Sequence, residues 1–312
     1  MPSAIRFGCQ YAGQDDESPI EVARRAEKAG FDIFTVSDHV GSGPAPMPTL
    51  AAVAGATRRI RLGTFVVNAT MRNPVQLAWE VSTVDHLSNG RVELGLGAGH
   101  TPHEYDETGM ECLAPGGRKA QLAEQVEIIR ALLDGETVDH VGVHHRVRGA
   151  AIERTVQDRL PILVGGNGRA LLGHAGANAD IVGFQGLGRT LADGHRHEVK
   201  WSPAHLDDQV GQVRAGAGAR FDALELNALV QVVEITDDAD RSIERLLERV
   251  DGLTTEDVAE IPYVLIGSVD QIADKIERCR ERWGISYYSV RVVDSFAPVI
   301  NALSARCHTP MP

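Results

Sequence analysis

The sequence has few cysteines and no long hydrophobic run. Its four cysteines, Cys9, Cys112, Cys279 and Cys307, lie far apart without a Cys-x-x-Cys pair, which argues against a disulfide framework or a structural zinc site. We expect reduced thiols, with Cys9 and Cys279 in the core. No apolar stretch is long enough to span a membrane, and the first residues lack the long apolar core of a secretory signal, so we expect a cytoplasmic location.

The sequence also lacks an excess of positive charge. Lys and Arg number 31 against 43 Asp and Glu, which gives a formal net charge of -12. Such a charge repels phosphate backbones and anionic membranes, so we expect neither a nucleic-acid partner nor a membrane partner. An anionic cofactor can still bind through a local group of backbone N–H donors. The 43% hydrophobic and 24% charged content is typical of a globular protein.

Strand-like apolar segments alternate with helical segments along the chain. We predict eight strands, at residues 4–9, 31–36, 60–67, 91–96, 160–164, 179–184, 226–235 and 285–292. Eight strands, each followed by a helix, leave two architectures, a closed (β/α)8 TIM barrel or an open doubly wound sheet. The strand count favours the barrel. An open sheet usually also has a Gly-x-Gly-x-x-Gly turn after its first strand, and none is present here.

No linker or shift in composition divides the sequence, so we predict one domain over residues 1–312. Three long segments between the expected strands and helices are predicted insertions, at residues 101–116, 135–159 and 185–224. Loops at the carboxyl-terminal face of a TIM barrel carry function and vary most, so we expect the first and last of these insertions to set substrate identity.

Polar side chains follow several of the predicted strands. Ser37-Asp38-His39 ends the second strand, and polar residues also follow the first, third and fourth strands at Gln10-Tyr11, Asn68-Ala69-Thr70 and Gly97-Ala98-Gly99-His100. In a barrel, all of these positions converge at one rim. Spacing alone also fits a plainer interpretation, in which Asp38 caps a helix and His39 is a surface side chain.

A glycine cluster, Gly165-Gly166-Asn167-Gly168, follows the fifth predicted strand. Small residues at the start of a helix let an anion approach backbone N–H groups, where the helix dipole favours negative charge. The cluster therefore indicates a phosphate-binding turn. A plain strand-to-helix turn that needs positive φ angles would use the same residues.

The histidines do not form a recognisable metal-binding pattern. Barrel metal sites commonly have His-x-His on the first strand, and this strand ends in Cys9-Gln10 instead. His144-His145 lies in the insertion at residues 135–159, where solvated side chains are expected. We therefore predict no metal site, although His100 and His103 lie close together in sequence.

Motifs throughout the chain resemble the bacterial-luciferase-like superfamily. They are Ser37-Asp38-His39, Gly63-Thr64-Phe65-Val66-Val67-Asn68, Arg72-Asn73-Pro74, the run from Asp85 to Gly99, Pro161-Ile162-Leu163-Val164-Gly165-Gly166 and Leu265-Ile266-Gly267-Ser268. The Ser-Asp-His string resembles the branch that uses the deazaflavin coenzyme F-420 more than the FMN monooxygenases. The resemblance implies a TIM barrel with the deazaflavin ring at its carboxyl-terminal mouth.

The resemblance also implies roles for individual residues. Asp38 would contact the ring system, and His39 would be the acid/base residue beside the substrate. Phe65 and Val66 would form a non-proline cis peptide behind the ring, with Asn68 as a coenzyme contact just beyond it.

The glycine-rich turns complete the implied coenzyme site. The expected contacts are Gly97 and Gly99 after the fourth strand and the phosphate-binding Gly165, Gly166 and Asn167 after the fifth. The sequence departs from the family at one of these turns. Sugar-phosphate dehydrogenases of this branch carry a glutamate proton donor after the strand-four Gly-x-Gly, and this chain has His100, which makes His100 a second candidate for catalysis.

We therefore predict an F-420-dependent oxidoreductase that transfers a hydride between C5 of the coenzyme and a small organic substrate. The coenzyme supplies the redox chemistry and the protein manages orientation and protons. One alternative is an FMN-dependent luciferase-like monooxygenase that uses reduced flavin and oxygen. A more distant alternative is a metal-dependent barrel hydrolase that uses His39, His100 and His103. We also expect a homodimer.

Overall fold

Eight parallel strands close into a barrel in the computed structural model, which describes residues 4–13, 17–191 and 197–307. The strands are β1 Arg6–Tyr11, β2 Ile33–Val36, β3 Arg61–Thr64, β4 Val92–Gly97, β5 Ile162–Gly165, β6 Ile181–Phe184, β7 Glu225–Leu229 and β8 Ile285–Val290. Each strand pairs with the next one along the chain, and β8 pairs with β1 to close the ring. The predicted (β/α)8 TIM barrel is confirmed.

An outer helix follows each barrel strand. In order, these helices are Pro19–Ala29, Pro46–Ala56, Pro74–Ser88, Pro115–Leu133, Arg169–Asn178, Pro203–Ala217, Val269–Trp283 and Ala297–Cys307. Five of them begin with proline, whose missing N–H and fixed φ suit the first helical position. In the described part of the chain, no helix combines the length and the apolar character needed to cross a membrane.

The seventh predicted strand, residues 226–235, is wrong as a single element. Its first half is β7, and its second half, Val232–Ile235, leaves the barrel and pairs in parallel with Val264–Gly267, a strand that the sequence pattern did not indicate. The chain separates here because the N–H groups of Gln231 and Val232 both donate to the carbonyl oxygen of Tyr263, outside the barrel. Helices Ala239–Leu247 and Thr255–Glu260 fill the connection between the two outer strands.

The predicted insertions contain secondary structure of their own. Residues 101–116 include the short helix Pro102–Thr108, and residues 135–159 include the hairpin Val138–Val141 with Arg146–Ala150. The third insertion holds the antiparallel pair Leu187–Thr190 and His197–Val199, a 3-10 helix at Gly218–Ala223, and the sixth outer helix. The assignment of residues 1–312 to one domain stays a prediction.

An ion-pair cluster occupies the amino-terminal end of the barrel. Buried Glu93 of β4 accepts hydrogen bonds from Arg6 of β1 and Arg61 of β3, and Arg6 also pairs with Glu225 of β7. Because these residues open their strands, the charges lie at the end opposite the predicted site.

Cys9 and Cys279 are each 1% exposed, which confirms their predicted place in the core.

Candidate active site

A cavity of about 200 Å³ opens at the carboxyl ends of the barrel strands. Residues at or just beyond the carboxyl ends of seven of the eight strands line it, and the remaining strand, β5, borders an adjoining cavity of about 780 Å³. The two cavities share Val66, Gly99 and His100 among their lining residues, so they form one continuous depression. Ligands of parallel α/β barrels bind at this face.

Every residue predicted for the site lines one of these two cavities. The smaller cavity contains His39, His100, Asp38, Phe65, Val66, Asn68 and Gly99, and the larger one adds Gly97, Gly165, Gly166 and Asn167. The barrel therefore brings the predicted residues together. Their individual roles in binding and catalysis stay predictions.

His39 forms a dyad with Glu104. Its Nδ1 lies 2.7 Å from Oε1 of Glu104, a buried carboxylate in the first turn of helix Pro102–Thr108. An ionised carboxylate only accepts hydrogen bonds, so Nδ1 carries the proton and Nε2 is left for a ligand. The hydrogen bond that His39 donates to Glu104 raises the pKa of His39 above its usual value, against an opposing effect of burial. The dyad therefore sets both the orientation and the basicity of the imidazole.

His100 lies between two other imidazoles. Its ring centroid is 5.5 Å from that of His39 and 4.8 Å from that of His197, on the strand His197–Val199 that borders the mouth. Burial lowers the pKa of His100 to about 4, and repulsion from His197 and His39 acts in the same direction. His100 is therefore a neutral ring near pH 7, which suits it to hydrogen bonding or stacking better than to proton donation.

Asp38 holds the end of β2 against the end of β3. One of its oxygens lies 2.7 Å from Nη2 of Arg72, and the other accepts from Nε of Arg72 and from the N–H of Asn68. Its side chain is only 7% exposed. Asp38 thus lines the cavity, but its carboxylate is already committed to protein donors.

The Phe65–Val66 peptide bond is cis, as the resemblance implies. Val66 projects toward the glycine-rich ends of the neighbouring strands. A Cβ added at Gly97 would lie 2.6 Å from Cγ2 of Val66, and one at Gly165 would lie 3.4 Å from its Cγ1. Gly97 is therefore required by close packing against Val66.

Two buried polar atoms lie in this wall without a partner in the described part of the chain. They are Oε1 of Gln10, whose Nε2 donates to the carbonyl oxygen of Phe65, and Nδ2 of Asn68. Unsatisfied buried polar atoms are costly, and a ligand that fills the cavity can satisfy them. A ring with both lactam N–H and carbonyl groups matches this acceptor and donor.

The glycine turn after β5 faces a lysine. A Cβ at Gly168, whose φ is +95°, would lie 3.0 Å from Nζ of Lys119, on helix Pro115–Leu133. Within the described residues Lys119 forms no ion pair or hydrogen bond, so its charge is available to an anion. Asn167 is tied to the protein, since its amide donates to the carbonyl of Leu187 and accepts from Gln209. The turn and Lys119 together suit a phosphate.

The histidines that the structure describes do not converge as metal ligands. Among the described residues, no group of three or more His, Cys, Asp or Glu side chains is placed to hold a metal ion. His103 lies on helix Pro102–Thr108 and does not line the smaller cavity. The arrangement gives no support to the metal-dependent hydrolase.

Sequence reasoning missed several residues of the site. Glu104 and Lys119 lie inside helices, several residues beyond the strand ends from which the site was predicted. His197 lies on a strand of the third insertion. Arg291 follows β8 directly, yet the predicted strand extended to residue 292 and placed it inside the sheet. The rule that polar residues after strands form the site would have found Arg291 had the strand boundary been correct.

A closed parallel barrel with an imidazole–carboxylate pair and a glycine-rich turn at its mouth defines a TIM-barrel enzyme. The family model described as luciferase-like monooxygenase matches residues 8–199, and the chain belongs to that family. It is 31% identical over 301 residues to the F420-dependent glucose-6-phosphate dehydrogenase of Nocardia farcinica, a match that covers 91% of this chain and 84% of that protein.

Two solved structures share the fold. One is an F420-dependent secondary alcohol dehydrogenase in complex with an F420-acetone adduct, at 20% identity and a TM-score of 0.74 over 96% of this chain and 97% of that one. The other is the coenzyme F420 dependent tetrahydromethanopterin reductase from Methanopyrus kandleri, at 20% identity and a TM-score of 0.74 over 98% and 100% of the two chains.

Proposed function

We propose that this protein is an oxidoreductase that depends on coenzyme F-420, that it moves a hydride to or from a small organic substrate, and that His39 is its acid/base residue. The relatives confirm the predicted enzyme class and coenzyme, because they are named F420-dependent dehydrogenases and their matches cover 91% of this chain. The observation that carries the role of His39 is its 2.7 Å contact with buried Glu104.

The described residues fit the coenzyme in two places. Oε1 of Gln10 and Nδ2 of Asn68 would pair with the polar edge of the deazaflavin ring against Val66. Gly166, Gly168 and Lys119 would hold its phosphate in the larger cavity. When bound, the coenzyme supplies the carbon that gives or accepts the hydride.

The protein contributes orientation and proton management. Glu104 holds the His39 ring with Nε2 free for the substrate, and the raised pKa lets Nε2 carry or accept a proton near neutral pH. Asp38 and Arg72 fix the ends of β2 and β3 on which His39 and Asn68 stand. His100, held neutral, forms part of the substrate wall.

Side-by-side titration with F-420 and FMN tests the proposal. We expect F-420 to bind with a dissociation constant in the micromolar range or below, about 8 kcal/mol, and more tightly than FMN. Lys119→Gln should weaken F-420 binding, whereas the matched control Lys28→Gln, on helix Pro19–Ala29, should not. Tight FMN binding with oxygen-dependent turnover, and no F-420 binding, would establish the monooxygenase alternative instead.

We also propose that the protein forms a homodimer and works in the cytoplasm. The relatives' substrate, glucose-6-phosphate, is not carried over, because His100 stands where the resemblance places the glutamate donor of sugar-phosphate dehydrogenases.

A further inference from the structure

Arg291 brings a permanent positive charge to the smaller cavity. It follows β8 directly and is exposed at the rim, where a ligand can reach it. Among the described residues that line this cavity, it is the one lysine or arginine; the others that can carry charge are Asp38, Glu104 and three histidines.

Among the described residues, no neighbour neutralises the positive charge of Arg291. Nη1 of Arg291 donates to Oε1 of Gln231 at 3.4 Å, a long contact, and no carboxylate lies within ion-pair distance of Arg291 in the described part of the chain. The two cavity carboxylates are engaged elsewhere, Asp38 by Arg72 and Glu104 by His39. Desolvation lowers the pKa of Arg291, and no acidic group opposes that shift. An anion placed here would satisfy the guanidinium.

The position of Arg291 separates it from the proposed coenzyme phosphate. In the ring of eight strands, β8 lies opposite β4 and away from β5, which carries the glycine turn. Lys119 and Gly168 border the larger cavity, and Arg291 does not. An anion bound at Arg291 would therefore be part of the substrate and not of the coenzyme.

We propose that the substrate of this enzyme carries a carboxylate that binds Arg291, across the cavity from the glycine turn. This assignment rests on the proposed function and adds the substrate class. Arg presents a planar fork that matches a carboxylate. A phosphate ester carries close to two charges at pH 7, and the described lining residues offer it one permanent cation, so the charge balance favours the carboxylate.

Ligand titration of the protein–F-420 complex tests the substrate class. The probes are short 2-hydroxy and 2-oxo acids, such as lactate and pyruvate, their neutral amides, inorganic phosphate and glucose-6-phosphate. Coenzyme fluorescence and calorimetry report binding independently of turnover. We expect at least one acid to bind at least about tenfold more tightly than its amide, because the amide lacks the charge that Arg291 pairs with.

Variants assign the effect to Arg291. R291M should abolish the preference for the acid over its amide, R291K should retain part of it, and F-420 affinity should stay unchanged in both. The matched control R249M, at an exposed arginine outside the cavities, should behave like the natural protein. Thermal unfolding of each variant confirms that it is folded.

Three results would overturn the assignment: no acid binds, the phosphate compounds bind in place of the acids, or R291M keeps the preference. If F-420 itself does not bind, the proposed function fails. The same acid and amide titrations of the protein without coenzyme then still decide whether Arg291 is a carboxylate site.

Discussion

Replacement of Glu104 by Gln separates the charge of the dyad from its shape. The amide oxygen can still accept the Nδ1–H of His39, so the ring keeps its orientation, but the negative charge is lost. Because the hydrogen bond that His39 donates to Glu104 is the largest cause of the raised pKa of His39, that pKa should fall in the variant. The limb of the pH–rate profile that reports His39 should therefore move to lower pH, whichever direction the hydride travels.

The size of the rate effect follows from the geometry. A hydrogen bond to a charged group contributes about 1 kcal/mol more than a neutral one. Because 40% of the His39 side chain is exposed, solvent screening keeps the difference from exceeding about 1 kcal/mol. We expect Glu104→Gln to lower the turnover number about fivefold. Glu104→Ala, which also removes the acceptor, should lower it further.

The stability of the variant gives a second readout with a defined sign. A histidine whose pKa is raised on folding stabilises the protein below its unfolded value of about 6.5, and that contribution is lost as pH rises through the folded pKa. The natural protein should therefore have a higher melting temperature than Glu104→Gln below a pH of about 6.5, and this difference should shrink as the pH rises through the folded pKa of His39. The control is Glu107→Gln, an exposed position on the same helix. A limb that stays in place or moves to higher pH would refute the assigned role of Glu104.

The remaining predictions concern the histidines, the glycine turn and the base of the barrel. His39→Ala should lower turnover about 100- to 10,000-fold with coenzyme affinity nearly intact. His100→Ala should lower the rate far less in single-turnover assays. A larger loss in His100→Ala than in His39→Ala would assign the acid/base role to His100 instead. Gly166→Val should weaken F-420 binding more than about tenfold in titrations, and Gly173→Ala, on the following helix, should not. Glu93→Gln should lower the free energy of unfolding by about 2 kcal/mol in denaturant titrations, because it removes the carboxylate that pairs with half-buried Arg61 and leaves Arg6 with Glu225 alone; a loss below about 0.5 kcal/mol would contradict this.

The barrel was predictable because its strands are apolar and fully buried. Segments such as Ile33–Val36 and Ile181–Phe184 are buried at every position, and such runs are visible in sequence. The pair Val232–Ile235 and Val264–Gly267 was not predictable in the same way. Which carbonyl the Gln231 N–H meets is set by tertiary packing, and nothing local in the sequence indicates it.

The site was predictable to the extent that strand ends define it. Asp38, Val66 and the glycine turn lie where the barrel rule places them. The partners of these residues were not predictable, since Arg72 reaches Asp38 and Glu104 reaches His39 across 34 and 65 residues of sequence. Such pairings depend on how the loops fold over the rim, which one sequence does not specify.

The dyad also accounts for the departure of this chain from its relatives at position 100. The resemblance places a glutamate there, and His100 supplies no carboxylate. Glu104 lies four residues later, where the start of helix Pro102–Thr108 turns it toward His39. In our proposal the carboxylate acts through the His39 imidazole, and protons leave or enter at Nε2. Because His100 is neutral near pH 7 while the pKa of His39 is raised, the limb of the pH–rate profile that reports proton transfer should belong to His39, and His100→Gln should leave that limb in place.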